Sequence, residues 1–219
     1  MLKFPCLILD HDDTVVQSEA TVNYPCFCQY LEQYRPEISI TLTEYVEGCS
    51  KMSFADLCKS NYGFTDEEMQ HEYAFWQDYA RSHIPSAFPG IGKLLADYRQ
   101  AGGVICVVSM SAKEQILRDY EHHFGFVPDQ IFGCDLPKEH RKPGTWPIGQ
   151  VCKTYGFTPE QLLVVDDMKF AVPMARAAGC SIAFAGWGRT DFPGLCREME
   201  EVCDYAFYTV EDFANFMFA

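Results

Sequence analysis

Short apolar runs separated by amphipathic stretches recur along most of this chain, and that alternation limits what it can fold into. The first run is Leu7–Leu9. From Ile91 onward the pattern repeats. Ile91, Leu94, Leu95 and Tyr98 mark one face of a helix ending at Gly102, and Val104–Val108 reads as a strand. Ser111 and Glu114 are placed to cap the next helix, before a short strand over Ile131–Cys134. Thr158 and Gln161 have capping-box spacing ahead of a strand over Leu162–Val165. A helix closing at Gly179 and a strand over Ser181–Ala185 follow. Strands that read as continuous apolar runs are buried on both faces, and strands alternating with helices pair in parallel. The expected fold is α/β, a Rossmann-like parallel sheet with helices on both faces.

One segment breaks the alternation. Between about Asn23 and His83 only helical patterns occur. Phe27, Tyr30, Leu31 and Tyr34 share a helical face, with Pro25 tolerable in the first turn. Ser53 can cap a helix that buries Phe54, Leu57 and Cys58 and closes at Gly63. Thr65 and Glu68 form a capping box ahead of a stripe through Met69, Tyr73, Trp76 and Ala80, expected to be core. Gly48-Cys49-Ser50 reads as a break between two of these helices. The expected organisation is therefore an α/β core domain of residues 1–17 and 86–219, with a helical cap domain of residues 18–85 inserted after the first strand.

Composition narrows the partners. With 219 residues the chain can bury a full core, and 48% hydrophobic and 22% charged residues are ordinary for a globular protein. A net charge of −14 argues against nucleic acid or an anionic membrane surface as partner, and an anionic substrate would need a local metal or lysine. No apolar run approaches membrane-spanning length, and Met-Leu-Lys-Phe-Pro leads into a strand rather than a signal peptide. The 11 cysteines form no Cys-x-x-Cys pair, and Cys6, Cys106 and Cys180 sit in or beside apolar strands, which suits reduced thiols and a cytoplasmic protein.

In a parallel sheet, ligands bind where the strands release the chain at their carboxyl ends. The first strand releases Asp10-His11-Asp12-Asp13-Thr14. Three carboxylates on one turn repel one another unless a cation joins them, and Mg2+ is held by such groups with water and substrate phosphate. The second strand releases Ser109-Met110-Ser111, and the fourth releases Asp166-Asp167. Arg141-Lys142-Pro143 lies in a loop before a helix containing Trp146. Ser109 or Ser111 alone reads equally as a helix cap, and Lys142 alone as a solvated lysine. Their shared place at the strand ends is what joins them. His11 should point away from Asp10 and Asp12, because neighbouring side chains on an extended backbone alternate.

These residues, in this order, resemble the motifs of the haloacid dehalogenase superfamily, which consists mostly of Mg2+-dependent phosphatases and phosphotransferases. Asp10, Asp12 and Thr14 match the first motif, Ser109 the second, Lys142 with Pro143 the third, and Asp166 with Asp167 the fourth. The helical insertion is similar to the cap of phosphoglycolate-phosphatase-like and beta-phosphoglucomutase-like members. The chain departs from the pattern at Asp13, where Gly is common, at Gln17 and Ala171, where acids are frequent, and at Met110, where Asn is frequent. The resemblance implies a Mg2+-dependent phosphatase of a small phosphorylated metabolite. In it Asp10 attacks phosphorus, Asp12 is general acid and base, and Ser109 and Lys142 hold the phosphoryl group. It also implies metal ligation by the Asp10 carboxylate, the Asp12 carbonyl and Asp167, with Asp166 in or next to that shell.

A phosphomutase would use the same motifs and would need basic groups in the cap, for which Arg35, Lys51, Lys59 and Arg81 are the candidates. A catalytically silent binding or regulatory protein is the other alternative. The intact acidic set weighs against it.

Overall fold

The protein is described here by a computed structural model covering residues 2–218. The chain divides into two compact units, one running to Gln17 and resuming at Ala87, the other spanning Ser18–Ser86.

The Ser18–Ser86 unit is helical: a π-helical turn at Glu19–Asn23, then α1 (Tyr24–Tyr34), α2 (Leu42–Lys51), α3 (Phe54–Tyr62) and α4 (Asp66–Ser82). Local chemistry sets the ends of these helices. Thr41 with Glu44 and Thr65 with Glu68 close complete capping boxes, Ser53 caps α3, and Gly63 ends it with φ 69°. Two expectations need correction. Gly48, Cys49 and Ser50 do not break the pattern; they are the last turns of α2, and the break falls at Met52–Ser53, where both residues are extended. The stripe on α4 is also rotated. Tyr73 is exposed, whereas Glu72 and Ala80 are the buried positions, because α1 packs along the face that carries them.

The other unit holds β1 (Cys6–Leu9), α5 (Ile91–Gln100), β2 (Val104–Val108), α6 (Lys113–Phe124), β3 (Gln130–Phe132) and α7 (Trp146–Tyr155). It continues with β4 (Leu162–Asp166), α8 (Ala171–Ala178), β5 (Ser181–Ala185), α9 (Pro193–Val202), β6 (Tyr205–Phe207) and α10 (Val210–Met217). The six strands form one sheet in the order β3-β2-β1-β4-β5-β6, every neighbouring pair parallel. Alternate residues of β1, β2 and β4 supply two separate cores. Leu7, Leu9, Ile105, Val107, Leu163 and Val165 pack with Tyr98 of α5, Tyr120 of α6 and Phe213 of α10. Cys6, Ile8, Cys106, Val108, Val164 and Ile182 face Ile148 and Val151 of α7 and Met174 of α8. With both faces covered, the strands carry few polar residues, and full burial of each large apolar side chain contributes roughly 1.5–3 kcal/mol. The sequence pattern did not reveal β6, α9 and α10, which follow the last recognised strand. β6 is three residues long, and its burial is only partial.

The strand order reverses at β1, whose neighbours are β2 on one side and β4 on the other. Loops leaving β1 and its neighbours part there and open the crevice at which open α/β sheets bind ligands.

Glu72 is the unusual group of the helical unit. It is 5% exposed, and burial pushes its carboxyl up to about 7, against an ordinary value of 4.5. Because the folded value is the higher one, the folded state holds a proton that the unfolded chain releases between these values. Stability therefore falls as pH rises from about 4.5 to 7, by on the order of 3 kcal/mol. Glu72→Gln is expected to raise the urea midpoint at pH 8 and to leave it nearly unchanged at pH 4.5. An equal shift at both pH values would show that the carboxyl does not titrate with folding.

Candidate active site

The register of the sheet assembles the site. Leu9 lies opposite Val107 on one side and Val165 on the other, so the residues that follow emerge side by side: Asp10 from β1, Ser109 beyond β2, and Asp166 at the end of β4. The Asp10 amide donates to the Val165 carbonyl at 2.8 Å, which extends the ladder by one step. The chain then turns back sharply. The Val15 and Val16 amides donate to the His11 carbonyl at 2.9 and 3.2 Å, and the Asp13 amide donates to the Val16 carbonyl at 2.7 Å. Asp13 sits in the left-handed region at φ 49°, which Asp tolerates better than most residues with a Cβ.

Lys142 approaches this turn from the loop before α7, preceding a cis bond to Pro143. It is buried, and its Nζ donates to Asp10 Oδ1 at 2.5 Å and to Asp166 Oδ2 at 2.9 Å. Burial works against its ammonium, but Asp10 and Asp166 outweigh that and raise its pKa above the usual lysine value. The other oxygen of Asp166 accepts from the Met168 amide at 2.8 Å, so both oxygens of this carboxylate are engaged by the protein.

One carboxyl oxygen each of Asp10, Asp166 and Asp167 lies within 4.8 Å of the others, and all three residues are buried. Burial first, and then the neighbouring carboxylates, hold Asp10 well above the ordinary range despite Lys142. Burial likewise pushes Asp167 up to about 7, although the Arg189 guanidinium opposes it. Four buried carboxyls, those of Asp10, Asp13, Asp166 and Asp167, share the two cations Lys142 and Arg189. An all-oxygen donor set with excess negative charge fits a hard divalent cation such as Mg2+.

Asp12 contributes no carboxylate to that group. Its Oδ2 accepts from the Ser111 hydroxyl at 2.6 Å and more weakly from Ser109 at 3.4 Å. Ser111 thus does not cap α6, as its spacing suggested. The N-cap is Ala112, which makes no side-chain capping bond, and the Ser111 hydroxyl is turned to Asp12. The Ser111 amide in turn donates to Ser109 Oγ at 3.1 Å. His11 points the other way, its Nε2 3.0 Å from Asp119 and its ring stacked on Tyr120.

Arg189 is a site residue that the sequence reading missed. It is 2% exposed, lies 2.5 Å from Asp167 and pairs with Asp13. The signal that marked the other loops applies to it as well, because it follows β5, the neighbour of β4. It stands four residues beyond the strand, with no companion of its own type to draw notice.

A model of the haloacid dehalogenase-like hydrolases matches residues 7–185. The chain belongs to that family. It is 28% identical over 138 residues to a phosphoglycolate phosphatase of Chromobacterium violaceum, covering 58% of this chain and 59% of that one. It is 24% identical over 127 residues to another from Haemophilus influenzae, covering 56% and 54%. The chain thus spans a little over half the length of the curated relatives it matches. In fold it is similar to a haloacid dehalogenase-like hydrolase of Bacteroides fragilis, with a TM-score of 0.80 at 21% identity over 96% of this chain and 100% of the other.

The buried charges make opposite demands on the metal-free protein. Lys142→Met strands two buried carboxylates and is expected to cost about 3–5 kcal/mol. Asp10→Asn removes a buried acid whose ionised form is disfavoured by burial and by the neighbouring carboxylates, and it is expected to raise stability. Urea unfolding of both variants in EDTA at pH 7.5 checks the two signs. Loss of stability in Asp10→Asn would mean that its bond to Lys142 outweighs burial and repulsion.

Proposed function

We propose that this chain is a Mg2+-dependent phosphatase that hydrolyses a small phosphorylated metabolite through an aspartyl-phosphate on Asp10. The observation that carries this reading is the division of labour between Asp10 and Asp12. The two stand two residues apart on one turn, yet Asp10 faces Lys142 and the acidic group, whereas the Asp12 carboxyl is withdrawn onto Ser109 and Ser111.

In this reading Asp10 attacks phosphorus in line and carries the phosphoryl group, a form of catalysis suited to a carboxylate. Lys142 offsets phosphoryl charge and keeps Asp10 oriented. Ser109 donates to a phosphoryl oxygen. Asp12 protonates the departing oxygen and then takes a proton from the attacking water, steered by the Ser111 hydroxyl. Asp10, Asp167 and the Asp12 carbonyl would hold Mg2+, with Asp166 alongside as the partner of Lys142. When bound, Mg2+ screens the repulsion between a phosphate ester and the carboxylates that meet it.

The helical unit at residues 18–85 is read as a cap that recognises the part of the substrate beyond the phosphate and excludes water from the α/β core at 1–17 and 86–219. Phosphoglycolate is the first substrate to try, because the curated relatives named above carry that activity in their names. A cytoplasmic location is supported by the 11 cysteines, none of which forms a disulfide among the described residues.

Purified protein is expected to release phosphate from a panel of phosphorylated metabolites with Mg2+, to stop in EDTA, and to recover when Mg2+ is restored. Turnover that survives full chelation would overturn the metal assignment. Asp10→Asn should abolish turnover, and wild-type rates in that variant would remove Asp10 as nucleophile.

Asp12→Asn is expected to slow hydrolysis of alkyl phosphates by roughly 10²–10⁴-fold and that of nitrophenyl phosphate far less, since nitrophenolate leaves without a proton. Equal losses on both substrates would mean that Asp12 has no role in proton transfer.

A further inference from the structure

The loop after β5 is fastened to the first catalytic turn at three points. Trp187 Nε1 donates to the Thr14 carbonyl at 3.0 Å. Gly188 lies against the Asp13 carbonyl so closely that a Cβ there would fall 2.1 Å from its oxygen. Arg189 then reaches inward, one guanidinium nitrogen on Asp13 and another 2.5 Å from Asp167 Oδ2. All three charged groups are buried: Arg189 is 2% exposed, Asp167 2% and Asp13 6%.

Asp13 occupies a backbone conformation that glycine would adopt without strain, at φ 49°. A residue kept at such a place against its conformational preference invites a functional account. Its carboxylate supplies one, because it pairs with the same guanidinium that pairs with Asp167. A guanidinium held on Asp167 alone would compete with a metal ion for that carboxylate. Paired with Asp13, the same guanidinium adds no net charge, and it still holds one oxygen of Asp167 in place.

We propose that Asp13 and Arg189 act as one neutral clamp that positions Asp167, with Asp13 as the counter-charge that keeps Arg189 from competing with Mg2+. Both are positioning residues. The inference rests on the reading of Asp167 as a metal ligand, and it adds a determinant of metal affinity outside the ligand set. It also links two features of the chain, an Asp at the left-handed position of the turn and an Arg beyond β5, as parts of a single device.

The test is calorimetric titration of Mg2+ into metal-stripped protein without substrate. Asp13→Asn keeps the size of the side chain and suits the left-handed backbone, so it removes little but the charge. It is expected to weaken Mg2+ binding roughly tenfold or more, the scale of one uncompensated charge a few ångströms away in a partly screened site. The double variant Asp13→Asn/Arg189→Gln should bind at least several-fold more tightly than Asp13→Asn alone, since the competing cation has gone. Circular dichroism confirms folding, and Asp13→Gly replaces Asp13→Asn if the latter fails to fold.

Unchanged affinity in the single variant, or a double variant no tighter than the single, overturns the clamp. Asp167→Asn separates this from the underlying reading. If Asp167→Asn abolishes Mg2+ binding while Asp13→Asn does not alter it, the clamp alone falls. If wild-type protein binds no Mg2+, or Asp167→Asn binds it unchanged, the metal assignment falls and the clamp with it.

Discussion

Parallel pairing of β1 with β4, in the register that sets Leu9 opposite Val165, is the constraint on which the site depends. It carries Asp10 past the end of its strand and sets it beside Asp166, with Asp167 one residue further on. No local preference in either segment would bring these acids together, since they are more than 150 residues apart in the chain. The apolar burial on both faces of the sheet holds the register, because a slip of one residue would exchange the contents of the two cores. The hydrophobic energy of the strands thus opposes the electrostatic cost of what they present at their ends.

That cost is visible in the direction of the titrations. Asp10 and Asp167 are both pushed upward, by burial first and by neighbouring acids after it, although each has a cation against it. A cluster arranged for stability would contain fewer carboxylates or more cations. Lys142 and Arg189 each bridge two acids, and each ties together segments distant in sequence. Two cations keep the group assembled and leave negative charge over for a bound dication.

Hydrogen bonding separates two carboxylates that composition alone would treat as equivalent. Asp10 and Asp12 lie on the same turn, but one is drawn to an ammonium and the other to two hydroxyls. The hydroxyls come from the loop after β2, placed there by the pairing of β2 with β1. Division of roles between two acids therefore depends on which neighbouring strand supplies the partner. The Ser111 hydroxyl, expected at a helix cap, is likewise oriented by the Asp12 carboxylate, to which it donates at 2.6 Å.

Much of the architecture was legible in the residue order. Apolar runs alternating with capped helices specify a parallel sheet covered on both faces, and a stretch without strands specifies a helical insertion, because each pattern reflects which faces must be buried. The cap at Ser53, the capping box at Thr65 and the glycine ends at Gly63 and Gly179 are local, so the adjoining residues suffice to determine them. The acids at the ends of β1 and β4 stood out because no packing argument explains them. The tertiary structure alone decided which of these groups touch. It chose Ser111 for Asp12, turned Tyr73 outward and Glu72 inward on α4, and brought Arg189 to Asp13 and Asp167. Those outcomes depend on sheet register, helix rotation and loop packing, which sum contacts over distant segments. No single window of the chain contains them.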